Sequence, residues 1–160
     1  MKIGVISDTH VDSVGKLPLK SLRLLEGVDL VIHLGDYTGE ALLEGLRRRF
    51  RFKGVYGNND PPRVKARLRR EEVFEVAGFK VVATHPADIM NPIGVGKKLK
   101  RRFNNAHAIL YGHTHLARLN FIDGALLLNP GSLTGKFPAM KKTMGVLYVE
   151  GTVKGKIVKI

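Results

Sequence analysis

The sequence predicts an α/β chain built on two sheets, and three observations predict it. Short β-branched apolar runs alternate with helical stretches in the order strand-helix-strand-helix-strand. The loops between them are short, which favours parallel strands joined by helical crossovers. The second half of the chain is mostly β-type runs, which adds a second sheet packed on the first. The expected organisation is one domain over residues 1–160, long enough to bury a full core.

Lys2 to Ser7 reads as a buried strand ending at Asp8. Apolar residues at 17, 22, 24 and 25, with Gly27 as a stop, predict a helix from Leu17 to Glu26. Val28 to Leu34 is a second buried strand, closing on Gly35-Asp36. Thr38 is expected to N-cap a helix running to about Arg48. Arg51 to Tyr56 is a third strand, ending at Gly57-Asn58. Pro61-Pro62 is expected to break any local helix. Glu71 to Val76 and Phe79 to Ala83 then form a hairpin around Ala77-Gly78. Val95 to Phe103 is a basic helix, and Ala108 to Tyr111 a strand ending at Gly112-His113. Leu116 to Ile122 and Ala125 to Leu128 flank Asp123-Gly124, a strong hairpin turn. Thr143 to Glu150 and Thr152 to Ile160 make a third hairpin around Gly151. No internal repeat, low-complexity segment or linker interrupts this order.

Composition narrows the class. No apolar run approaches the roughly 20 residues needed to span a bilayer. The N-terminus turns acidic at Asp8 and does not read as a signal peptide, so the cytoplasm is the expected compartment. The chain has no cysteine, which excludes disulfides and thiolate metal sites. Any metal must be held by imidazole, carboxylate and amide groups, a set suited to Mn, Fe, Ni or Zn rather than Cu(I). Absent Cys and Gln in a Lys/Arg-rich chain point to a heat-loving source. Net charge is +13, from 27 basic and 14 acidic residues, a field that attracts phosphorylated substrates and polyanions. Nucleic acid is therefore a candidate partner, beside the plainer reading of a solvated basic surface. A homo-oligomer stands as a further candidate.

Metal-type side chains recur where apolar runs end. They are Asp8 and His10, Asp36, Asn58, His85, and His113 with His115. In α/β sheets, ligands collect outside the carboxyl ends of strands, so these residues can meet at one edge. Two divalent ions about 3.5–4 Å apart can clamp a phosphate and acidify water toward neutrality. Taken singly, Asp8 is a turn residue, Asp36 a helix cap and each histidine more often structural than a ligand. Taken together, their order and placement overturn those single-residue readings. His33, inside an apolar run, and His107, before a strand, stay outside the set.

The set Asp8-x-His10, Gly35-Asp36, Gly57-Asn58-x-Asp60, His85 and Gly112-His113-x-His115 resembles the calcineurin-like metallophosphoesterase superfamily, in its small single-domain bacterial and archaeal phosphodiesterase branch. Asn129-Pro130-Gly131-Ser132 fits that branch too. The resemblance implies a four-layer αββα sandwich of two mixed sheets flanked by helices. It implies a phosphodiesterase with two divalent ions, Mn2+ first and Ni2+, Fe2+, Zn2+ or Co2+ as alternates. One ion would take Asp8, His10 and His115, the other Asn58, His85 and His113, with Asp36 bridging. A hydroxide held between them would attack phosphorus in line. Asp60 would orient a ligand or its loop.

Two positions depart from the wider pattern. Asn59 stands where many larger relatives have a histidine that protonates the leaving oxygen, and an amide cannot act as a general acid near neutrality. Pro86 follows His85 where glycine is usual, and biases His85 toward extended backbone. Asn59, Arg63 and Tyr37 are the candidate substrate contacts, Tyr37 as a stacking ring and Arg63 as a phosphate contact from a basic run. Gly94-Val95-Gly96-Lys97-Lys98 fails as a phosphate loop, because Asn91 stands where glycine is needed and Lys98 where Ser or Thr is needed. Two other readings are carried forward. One is a binding scaffold of the same fold, as in the small retromer subunit of eukaryotes. The other is a nuclease that holds nucleic acid on the basic surface. The low aromatic content, 7%, supplies no single-strand stacking platform.

Overall fold

The computed structural model describes residues 1–89 and 93–160; Asn91, of the rejected phosphate-loop pattern, lies outside the described residues. The elements run in order: β1 (Lys2–Ile6), α1 (Leu19–Glu26), β2 (Leu30–His33), α2 (Glu40–Arg49), β3 (Phe52–Gly54), α3 (Pro62–Lys65), β4 (Glu71–Val76), β5 (Phe79–Thr84), α4 (Val95–Arg102), β6 (Ala108–Tyr111), β7 (Arg118–Ile122), β8 (Ala125–Asn129), β9 (Thr143–Glu150) and β10 (Thr152–Lys159). A short 3-10 turn, Val14–Lys16, precedes α1.

Two five-stranded sheets result, ordered β10-β9-β1-β2-β3 and β4-β5-β6-β8-β7. Strands β1, β2 and β3 are parallel, as are β5, β6 and β8. Antiparallel pairs flank both parallel cores, so each sheet is mixed. Strand periodicity sorts the side chains into layers. Ile3, Val5, Ile32, Val81, Ala83, Leu110, Leu128 and Leu147 share one buried cluster that joins strands of both sheets. Residues of opposite parity, including Val31 and Val146, pack with Leu22 and Leu25 of α1 and Leu42, Leu43 and Leu46 of α2. Val82, Ile109 and Leu127 pack with Val95 and Leu99 of α4. The layers are therefore helix, sheet, sheet, helix. Leu110 is fully buried among them, and truncating such a leucine costs about 2–5 kcal/mol.

Three local expectations need correction. Thr38 does not cap α2: Gly39 takes that place, while Thr38 has φ +64° and its N–H goes to Asp60. Pro61-Pro62 does not exclude a helix, because Pro62 is at the first turn of α3, where a missing N–H leaves no bond unmade. The last hairpin joins the first sheet rather than the second, through antiparallel pairing of β9 with β1. The third strand is also shorter than its apolar run; beyond Gly54, Val55 makes only an isolated parallel bridge to Arg69. The parallel topology is what positions the site. The loops after β1, β2, β3, β5 and β6 carry Asp8 and His10, Asp36, Asn58, His85, and His113 with His115.

Candidate metal centre

The loops converge. Asp8, His10, Asp36 and His115 each offer a donor atom within 4.8 Å of all the others. His115 Nε2 is 3.3 Å from Asp8 Oδ1 and 3.2 Å from His10 Nε2. His10 Nε2 is 3.5 Å from Asp36 Oδ2. A second set adjoins it. Asn58 Oδ1 lies 3.1 Å from both His85 Nε2 and His113 Nδ1. His85 Nε2 is 3.7 Å from Asp36 Oδ1, so the two oxygens of Asp36 face different sets.

Backbone geometry aims these side chains. Asp8, His10, Asp36, His113 and His115 all have φ between 49° and 76°, the left-handed region that non-glycine residues avoid. Such strain gathers where surrounding contacts over-determine a site. The contacts are present. Asp8 N–H donates to Gly35 O, and His10 N–H to Asp36 O, both at 3.0 Å. Ser132 Oγ donates to Asp8 O at 2.7 Å and Thr134 Oγ1 to Thr9 O at 2.8 Å. Asn129 Nδ2 donates to Gly112 O at 3.1 Å, steadying the 113–115 turn. Gly57 permits the tightest approach: a Cβ there would lie 2.1 Å from Asp36 Oδ1.

Asp60 organises the second and third loops. Its carboxylate accepts N–H bonds from Asp36, Tyr37, Thr38 and Gly57 at 2.6–3.1 Å. Burial pushes its pKa up despite those bonds. His33 supports the same loop from below. Gly35 N–H donates to His33 Nδ1 at 3.2 Å, which puts the ring proton on Nε2, facing Thr9 Oγ1 at 3.0 Å. The Thr9 hydroxyl in turn donates to Asp36 O at 3.1 Å. Full burial lowers the His33 pKa to about 3, so the ring is neutral across physiological pH.

The donor atoms fit a cation. His115 Nδ1 sits 3.0 Å from Lys136 O and 2.9 Å from Phe137 O, so it carries the proton and leaves Nε2 as a lone pair. His85 Nδ1 sits 2.7 Å from Leu34 O, with the same consequence for its Nε2. Lone pairs thus face carboxylates and one another, and a bound cation satisfies them together. Burial would raise the Asp8 pKa, but the His115 bond and the nearby His85 and His115 outweigh it, leaving a ready anion. Burial lowers the pKa values of His10 and His113, favouring the neutral ligand form. At His115 burial also pulls down, yet Asp8 and the two carbonyls outweigh it, so protons compete with a cation there.

The substrate candidates fare differently. Tyr37 cannot stack on a substrate: it is fully buried, with its ring stacked on His33 at 3.8 Å and its hydroxyl 3.3 Å from His33 O. Leu42, Leu46 and Val64, in the same buried cluster, recruit it to the core. Asn59 directs its amide to Asp36 Oδ2 at 2.7 Å and its N–H to Asp36 Oδ1 at 2.9 Å. Arg63 is exposed on α3. His107 is a surface residue whose Nδ1 accepts from Lys80 N–H. Sequence reasoning missed Lys65, whose Nζ donates to Asn58 O at 2.9 Å, and the carbonyls of Leu34, Lys136 and Phe137. The basic run after Asn58 and the Asn129–Ser132 motif were the available signals.

The calcineurin-like phosphoesterase superfamily domain matches residues 1–152. The chain belongs to that superfamily. A probable metallophosphoesterase of Methanocaldococcus jannaschii is 34% identical over 163 residues, spanning 100% of this chain and 82% of that protein. A solved archaeal phosphodiesterase superposes on this metallophosphoesterase with a TM-score of 0.81 and 25% identity, covering 100% of both chains. Vps29 of Chaetomium thermophilum reaches the same TM-score, 0.81, at 18% identity, covering 99% of this chain and 97% of that one. At that identity the likeness is one of fold. Among the described residues, no helix is long and apolar enough to cross a membrane.

Proposed function

We propose that this metallophosphoesterase is a divalent-metal-dependent phosphodiesterase with a dinuclear centre. The observation that carries the reading is Asp36, whose two carboxylate oxygens face two different donor sets, at 3.5 Å and 3.7 Å from the nearest imidazole nitrogens. On this reading, Asp8, His10 and His115 would hold one ion and Asn58, His85 and His113 the other, with the Asp36 carboxylate shared between the two sets. Bound there, the ions supply Lewis acidity toward phosphoryl oxygens and a nucleophile active near neutral pH. The chain's own groups do the rest. Asn59 holds the bridging carboxylate in place, and Asp60 fixes the loop that presents it. The Leu34, Lys136 and Phe137 carbonyls select the imidazole tautomers. The Asn59 amide donates no proton, so substrates with good leaving groups are expected to react fastest.

Mn2+ is the ion proposed first, with Ni2+, Fe2+, Zn2+ and Co2+ as alternates suited to the same ligands. The test is a hydrolysis screen of the metal-loaded protein across these ions. Bis-aryl phosphate, aryl monophosphate, 2′,3′-cyclic nucleotides and short oligonucleotides are compared. Diester hydrolysis above blank is expected; no turnover of diester or monoester would sink the reading. A second reading, a binding scaffold, draws on exposed Phe137 and Met140, 85% and 89% accessible, on the loop that also anchors His115. Metal content after reconstitution separates the two, because fewer than one ion per chain selects the scaffold.

A further inference from the structure

We propose that a groove leading away from His115 seats a nucleotide-like ester arm of the substrate, one that carries an apolar base and a further anionic group. The proposal rests on the phosphodiesterase reading above and names a substrate class for it. The groove has a volume of about 430 Å³, within the size range of small-molecule sites. His115 lines it and also belongs to the donor cluster, so the groove adjoins the place where a phosphodiester would react.

Its lining combines apolar and cationic side chains. Leu116, Ala117, Met140 and Ile157 give it an apolar lining, and Lys141 and Lys159 are its charged members. Leu116 and Met140 are 46% and 89% accessible, apolar surface left in water beside a polar centre. Methionine is soft and adaptable, suited to packing on a flat ring. No acidic residue lines the groove. Neither the Lys141 nor the Lys159 ammonium has a hydrogen-bond or ion-pair partner among the described residues. An uncompensated pair of ammonium groups in one groove with apolar side chains calls for an anion attached to an apolar body. With one phosphate at the centre, a base fits against Leu116 and Met140, and the next phosphate meets Lys141 and Lys159.

Three aryl diesters test this: methyl p-nitrophenyl phosphate, thymidine 5′-(p-nitrophenyl phosphate), and the latter carrying a 3′-phosphate. In each, water adds across the phosphorus–aryl oxygen bond, giving p-nitrophenol and the phosphomonoester of the remaining arm. For the wild type, kcat/KM is expected to rise along the series, with the 3′-phosphate contributing about fivefold to tenfold through two exposed charges. Lys141→Glu with Lys159→Glu should erase the 3′-phosphate increment through KM. Leu116→Ala with Met140→Ala should erase the nucleoside increment. Lys97→Glu with Lys98→Glu on α4 makes the same charge change elsewhere and should leave the ratios intact. Equal kcat/KM for all three diesters would overturn the groove while leaving the enzyme reading standing. An α4 variant that lowers the ratios as much as the groove variant would also overturn it, and would point to net charge alone. If nothing is hydrolysed, calorimetry decides. Thymidine 3′,5′-bisphosphate should bind more tightly than thymidine 5′-phosphate, and Lys141→Glu with Lys159→Glu should remove the difference. No difference in the wild type, or groove variants that change only self-association, would overturn the proposal.

Discussion

The two donor sets around Asp36 are built unequally. The set of Asp8, His10 and His115 has a carboxylate of its own, fully buried, with His115 3.3 Å from it and His10 3.2 Å from His115. The set of Asn58, His85 and His113 has only neutral donors and borrows its charge from Asp36; Asn58 is exposed at its rim. Carboxylate count and site rigidity raise cation affinity. On the proposed dinuclear reading, the contrast makes one position the retaining one and the other the exchanging one, with Asp36 coupling the two.

The change with the largest expected effect removes the coupling. Asp36→Asn should lower diester hydrolysis on the order of a thousandfold or more and reduce metal content, measured by elemental analysis beside steady-state rates. Wild-type rates in that variant would break the comparison at its centre. Next comes the inequality itself. Graded chelation of the loaded protein should strip one ion well before the other. Asn58→Ala should lack the weakly held ion from the outset, whereas Asp8→Asn should lose the tight one. Two ions of equal affinity, or the reverse order in the variants, would abolish the contrast. Asp60→Asn replaces an acceptor of four backbone N–H groups by an amide with one acceptor oxygen. It should weaken metal affinity by about 10–100-fold, as changes behind a metal ligand do.

A smaller effect is expected from pH. Folded His33 titrates near about 3 and the unfolded residue near 6.5, because burial disfavours the charged ring. Between those values the unfolded chain holds the extra proton. Stability therefore falls as pH drops below about 6.5, by about 1.4 kcal/mol per unit from this group. Denaturant unfolding of the metal-free protein at pH 7 and pH 5 should show a shallower loss in His33→Gln than in the wild type; equal losses would refute the linkage. Tyr37→Phe is expected to do least. It removes one long bond to His33 O at 3.3 Å, worth at most about 1 kcal/mol, and leaves hydrolysis unchanged, since the ring does not reach substrate. A large rate loss would return Tyr37 to the site.

Much of this was legible in advance, for a physical reason. Buried strands advertise themselves through short β-branched runs, and parallel strands bring their carboxyl ends to one edge. Asp8, Asp36, Asn58, His85 and His113 could therefore be placed together without coordinates. What depends on distant partners was not legible. The hairpin of β9 and β10 has a clear turn at Gly151, but only tertiary packing decides that β9 pairs with β1. Thr38 has the side chain of a helix cap, yet Asp60 takes its N–H and Gly39 caps instead. Tyr37 beside Asp36 looked available to substrate, but its neighbour His33 claims the ring face. Asn59 read as a missing acid, and its geometry gives it a different task, holding Asp36.

The left-handed backbone at Asp8, His10, Asp36, His113 and His115 carries a consequence for the history and redesign of such chains. An ordinary residue held there costs about 1–2 kcal/mol that glycine would not. Folding alone would therefore choose glycine at positions where chemistry demands carboxylate or imidazole. A lineage released from hydrolysis can drift downhill, shedding ligands while its architecture grows sturdier. A designer seeking a robust inert scaffold would start with those same positions.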